Sequence, residues 1–86
     1  MEGPFTLKIE DTFFIKEKGL VVTGILRNGS VDVGDYVTFS DGSTAVIDAI
    51  IIGQSQVNTA KDGDNVGLLF RNLTKKDVKI GTVLTK

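Results

Sequence analysis

Apolar residues recur at every second position along much of the chain. Phe5, Leu7 and Ile9 alternate with Thr6, Lys8 and Glu10, and Val37 and Phe39 alternate with Tyr36, Thr38 and Ser40. A period of two sends one row of side chains into a core and leaves the other to water, so these segments read as half-buried strands. Residues 20–27, 44–52, 66–71 and 79–84 are further short runs rich in Val, Ile, Leu and Thr, which suit a pleated surface. That makes about six strands. No run of about ten residues carries apolar positions at i, i+3, i+4 and i+7, and the nearest helical candidate is a single turn at Thr74 to Asp77. Asn28-Gly29, Asp41-Gly42 and Asp62-Gly63 tolerate the positive φ of tight hairpin turns. The pattern predicts an all-β barrel or sandwich.

The 86 residues fit one domain, 1–86, with no linker or internal repeat. The chain has neither Cys nor His. Disulfides and thiolate metal sites are therefore excluded, and the usual neutral-pH base and commonest zinc ligand are missing. The sequence offers no catalytic residue, no metal ligand set and no cofactor site, and we expect no enzyme activity. The formal net charge is −1, so no whole-domain positive field draws nucleic acid, and any RNA contact must be a local patch. Nothing approaches the roughly 18 apolar residues of a membrane span, and Met1 to Phe5 do not form a signal segment. With cysteine absent, the expected location is cytoplasmic.

Several motifs read as local structure. Glu10-Asp11 pairs two carboxylates, but neighbours on a strand face opposite ways and cannot flank one bond. Asp62, Asp64 and Asn65 resemble part of a calcium loop only in composition; the order of ligands is wrong and a turn is expected. There is no glycine-rich phosphate loop, so this chain alone is not expected to bind GTP. The run from Ala45 to Ile52 is too apolar for a strand wetted on one side. Either it bulges at a corner or it exposes an apolar row to a partner. Lys16 and Lys18, with Lys75, Lys76 and Lys79 near the C-terminus and Arg71 at a strand end between them, would contact a few phosphates if folding brings them onto one face. Otherwise they are solvated loop cations.

The order of the motifs is more specific than any one of them. Pro4-Phe5, Leu7, Ile9-Glu10-Asp11, Phe13 and Ile15 are followed by Gly19, Val21-Val22-Thr23-Gly24, Gly29, Val33-Gly34-Asp35 and Val37. Ala60, Gly63-Asp64-Asn65-Val66-Gly67-Leu68-Leu69, Arg71, Gly81 and Val83-Leu84 complete the series. From Pro4 to Leu84 this resembles the second domain of elongation factor Tu and related translational GTPases, with a shortened hairpin near Asp41. The resemblance implies a small closed Greek-key β-barrel of about six strands, standing here without its GTPase domain. In the family this barrel is non-catalytic, contacts the small ribosomal subunit and, in elongation factor Tu, helps hold the aminoacylated end of tRNA. Carried over by residue, Ile15, Gly19, Val21 and Leu69 stand in the pocket wall, Asn65 at its amide contact, and Lys18 where Arg is usual. Ile51 replaces a Glu that packs on the terminal adenosine, Gln54 an Arg, and Ile80 an Arg that reaches the 5′ phosphate. Each such polar contact is worth about 1 to 3 kcal/mol. The resemblance therefore implies that aminoacyl-tRNA is not held as elongation factor Tu holds it.

Three functional readings follow. The first is a ribosome- or RNA-associated binding module using Lys16, Lys18, Gly19, Val21, Asn65, Arg71, Lys75 and Lys76, with ribosomal or transfer RNA as partner. The second is a protein-interaction or oligomerisation module using Ile50, Ile51, Ile52 and Ile80. The third is a domain excised from a longer translational GTPase. None involves a membrane.

Overall fold

The computed structural model describes residues 5–85, and every regular element among them is a strand. The lead-in Met1 to Pro4, including the first residue of the family-like motif, lies outside the described residues, as does Lys86.

β1 (Thr6–Lys8) and β2 (Asp11–Ile15) lie end to end along one side of the long β3 (Gly19–Arg27). Between them the chain kinks where Ile9 N–H donates to Thr82 O at 2.9 Å and Glu10 N–H to Thr23 O at 2.7 Å. There follow β4 (Ser30–Asp32), β5 (Tyr36–Phe39), β6 (Thr44–Val46), β7 (Ala49–Ile52), β8 (Ser55–Val57), β9 (Thr59–Lys61), β10 (Asn65–Phe70) and β11 (Val83–Thr85). The main sheet runs β6-β5-β11-β1-β3-β10-β7-β8, with β2 beside β3, while β4 and β9 form a separate pair. β6 at one edge and β7 near the other are joined only by Ile47 and Asp48, so the sheet has to curl.

Register explains what the curl encloses. Phe39, Leu84, Leu7 and Leu26 face one another across β5, β11, β1 and β3, and all four are buried. A second row, Thr12, Val22, Leu68, Ile50 and Val57, crosses β2, β3, β10, β7 and β8. Residues directly opposite share a face, so the two rows line one interior. Phe39 and Phe70 meet inside it with ring centroids 5.6 Å apart and planes tilted by 58°.

The described residues form eleven strands where about six runs were expected, because β4, β8 and β9 are only three residues long and β2 sets Phe13 beside Phe14 and so breaks the alternation. The run from Thr44 to Ile52 divides into two strands at Ile47 and Asp48. Ile47 and Ile50 enter the core, whereas Ala49 is buried on the opposite face, so consecutive residues are covered without one wet side. Of the three expected hairpin turns only Asp41-Gly42 joins paired strands, β5 and β6. Asn28-Gly29 and Asp62-Gly63 connect strands that pair elsewhere. They meet each other instead, through Asn28 N–H donating to Asp62 Oδ1 at 2.9 Å. Asp64 Oδ2 accepts Lys61 N–H at 2.9 Å, and this acidic group is thus committed to a turn. Thr74 to Asp77 is a single turn, closed by Asp77 N–H to Thr74 O at 2.9 Å.

Candidate functional site

The outer face of the sheet carries its own apolar row. Phe13, Val21, Leu69 and Ala49 face one another across β2, β3, β10 and β7. Val21, Leu69 and Ala49 are nearly as buried as the core, while Phe13 is half exposed. The neighbouring row is Thr23, Gly67, Ile51 and Gln56. A Cβ on Gly67 would come within 3.1 Å of Val21 Cγ1, so glycine there leaves a shallow trough. Val21, Thr23, Ile51, Ile52, Gly53 and Asn65 line it.

Toward the end of β10 the same face ends in a polar cleft of about 300 Å³. Leu69 and Ala49 floor it, and Lys18, Arg71, Glu17, Asp48 and Gln56 surround it. Lys18 is placed by the β2–β3 hairpin, whose turn is closed by Lys18 N–H to Ile15 O at 2.9 Å, with Glu17 at φ 70°. Arg71 is placed by Asp48, whose Oδ2 accepts Arg71 N–H at 2.8 Å. Gly19 lets the two approach: a side chain there would strike the Phe70 carbonyl oxygen and lie 2.6 Å from Arg71 Cα. The cleft joins a hairpin tip to a strand end far away in sequence. It offers two cations to an anion, with two carboxylates beside them limiting the field.

The other sequence candidates are dispersed. Lys16 sits exposed at the hairpin tip. Lys75 and Lys76 line a different cleft with Phe14 and Thr74. Because Phe13 and Phe14 are neighbours on β2, that cleft is on the opposite side of the hairpin from Lys18 and Arg71. The cations therefore do not form one patch. Ile50 is fully buried in the core and cannot face a partner, which corrects its place among the expected interaction residues. Ile51 and Ile52 are partly buried in the trough, and Ile80 is 63% exposed in the turn before β11. Asp48, Glu17 and Phe14 were missed. Asp48 had a signal, as the one charge interrupting the apolar run 45–52, and Phe14 had another, as an apolar residue off the alternating beat.

Among the described residues no three His, Cys, Asp or Glu side chains are grouped to hold a metal, and no helix is long and apolar enough to cross a membrane.

Comparison with known proteins adds a family. The family model described as elongation factor Tu domain 2 matches residues 19–85. The apicoplast elongation factor Tu of Theileria parva is 38% identical over 100% of this chain and 22% of its own length. Translation elongation factor SelB from Methanococcus maripaludis, in its apo form, superposes with a TM-score of 0.88 at 31% identity, over 100% of this chain and 19% of that one. A bacterial selenocysteine-specific elongation factor, EF-Sec, gives a TM-score of 0.89 at 24% identity over 99% of this chain and 15% of its own, a likeness of fold. The chain thus spans about a fifth of the length of the first two of these relatives.

Proposed function

Since the chain belongs to the elongation factor Tu domain 2 family, we propose that it serves translation as a non-catalytic barrel that binds ribosomal or transfer RNA. In this reading residues 1–86 are one domain of a longer translational GTPase, the curled sheet is a closed Greek-key barrel built on about six principal strands, and GTP is handled outside these residues. The cytoplasmic location belongs to the same proposal.

The observation that carries it is the meeting of Lys18 and Arg71 in one cleft, with Lys16 at the tip of the same hairpin. Guanidinium and ammonium groups beside an apolar floor suit a phosphate and its sugar, and the contact is expected to weaken with salt. Gly19, Val21 and Asn65 then have supporting parts, the first by permitting the close approach and the others by shaping the adjoining trough.

The test is co-sedimentation of the chain with small ribosomal subunits over a salt series. Binding should persist near physiological salt and fall sharply in Lys16→Glu/Lys18→Glu. Absence of binding at every salt concentration would overturn the proposal. The trough supports a second reading, a protein partner at Ile51 and Ile52. Its mark would be a salt-insensitive complex broken by Ile51→Glu.

A further inference from the structure

The β2–β3 hairpin has a second working face. Thr12 and Phe14 share one side of β2, and Thr12 is buried against the core, opposite Val22. Phe14 lies two residues further on, opposite buried Leu20, and alternation would bury it as well. It is instead 49% exposed and walls a cleft of about 410 Å³ with Thr74, Lys75 and Lys76. Among the described residues no carboxylate lines this cleft. The nearest acid in sequence, Asp77, turns its Oδ2 back to Thr74, accepting the backbone N–H at 2.8 Å and the hydroxyl at 3.2 Å. The site is thus an open aromatic ring with Lys75 and Lys76 beside it.

We propose that this cleft takes one unpaired nucleotide of a single-stranded RNA, its base stacked on Phe14 and its flanking phosphates held by Lys75 and Lys76. Charge complementarity selects the occupant: an aromatic platform with cations and no acid fits a base between phosphates, whereas a basic or neutral peptide gains nothing from the lysines. A paired base in a duplex has both faces covered by its neighbours and cannot reach the ring. The proposal shares with the ribosome reading the premise that RNA is the partner, but it concerns the opposite side of the hairpin from Lys18 and Arg71.

The experiment is fluorescence anisotropy with a short, mixed-sequence single-stranded RNA and the corresponding duplex. The single strand should bind more tightly than the duplex. Phe14→Ala should weaken it by about five- to hundredfold, the range for loss of one stacked base, and Phe14→Tyr should restore it. Lys75→Ala/Lys76→Ala should lower the slope of log affinity against log salt by roughly 1.4, or about 0.7 for each phosphate. The chain has no tryptophan, so Phe14→Trp supplies a single reporter whose emission should be quenched by the single strand. Phe14 is half exposed, and an unchanged circular dichroism spectrum will show that its variants fold. Equal affinity of Phe14→Ala and the wild type, or equal affinity for duplex and single strand, overturns the proposal. So does a change in self-association on Phe14→Ala with no RNA bound by either protein. In a Lys18→Glu background the ratio between wild-type Phe14 and Phe14→Ala should be unchanged. No small-subunit binding by the wild-type chain, with that ratio intact, would overturn the ribosome reading alone; small-subunit binding by the wild type, with a ratio of one, would overturn this one alone.

Discussion

Gly19→Ala perturbs the fold and the candidate site at one point. Gly19 opens β3 at φ 130°, and a methyl group there would lie 2.6 Å from Arg71 Cα and press on the Phe70 carbonyl. Both obstacles are backbone, so no side-chain rotation relieves them. A positive φ costs an ordinary residue about 1 to 2 kcal/mol. Forcing a packed backbone apart adds about 1 to 3 kcal/mol. Together these give about 2 to 5 kcal/mol against a total stability of about 5 to 15 kcal/mol. For a domain of this size the midpoint of thermal unfolding should fall by about 10 °C or more. Gly53→Ala is the control. Gly53 has φ 64° in the β7–β8 loop and nothing within 4 Å of its missing Cβ, so only the dihedral cost applies. Urea unfolding of both variants, with unchanged slope, isolates the steric part as their difference. If Gly19→Ala is no more destabilised than Gly53→Ala, the close approach of β10 to the hairpin is wrong. The same displacement moves Arg71 away from Lys18, so small-subunit binding should fall in the fraction that stays folded.

The hairpin tip and the β5–β6 turn give two further expectations. Glu17 holds φ 70° without being glycine, so Glu17→Gly should raise stability by about 0.5 to 1 kcal/mol and, by removing a carboxylate from the cleft, tighten RNA binding; an unchanged or lower melting temperature contradicts the strain. At Asp41 the Ser43 hydroxyl (2.7 Å) and backbone N–H (2.9 Å) both donate to Oδ1, and these bonds hold the carboxyl below its ordinary value of 3.8. A depressed folded pKa contributes stability above the unfolded value and loses it as pH falls through the folded one. An NMR titration should therefore place Asp41 below 3.8 in the wild type and move it upward in Ser43→Ala, and coincident titration curves would refute the role of Ser43.

Alternation made the interior legible where a strand has one wet side. Phe5, Leu7, Ile9, Val37 and Phe39 could be placed from their spacing, because water on the other face forces polar residues between them. The same rule failed on the outer face of β3 and β10. Val21-Val22 and Leu68-Leu69 are apolar on both faces, since Val21, Leu69 and Ala49 pack against one another outside the core. Such a run shows burial without showing which residue points inward. Turn chemistry was legible in the same partial way. Asn28-Gly29 does adopt positive φ, at 64° and 133°, but dihedrals at a turn do not choose the strand's partner. That choice is made by long-range register, and it sends β3 to β10 and β4 to β9.

The division of the cations follows from the same limit. Sequence spacing grouped Lys75 and Lys76 with Lys16, Lys18 and Arg71 as basic residues near strand ends, and nothing local separates them. Separation comes from β2, where Phe13 and Phe14 lie back to back and turn the hairpin into a wall with two sides. On one side Lys18 and Arg71 stand with Glu17 and Asp48, a mixed field in which each charge reversal should have a graded effect. On the other, Lys75 and Lys76 stand beside an aromatic ring with no acid among the described residues lining the cleft, where losing the ring should matter at least as much as losing a charge. A nucleic acid touching both sides would have to pass around the hairpin tip at Lys16, an irregular path that a flexible single strand can follow and a straight duplex cannot.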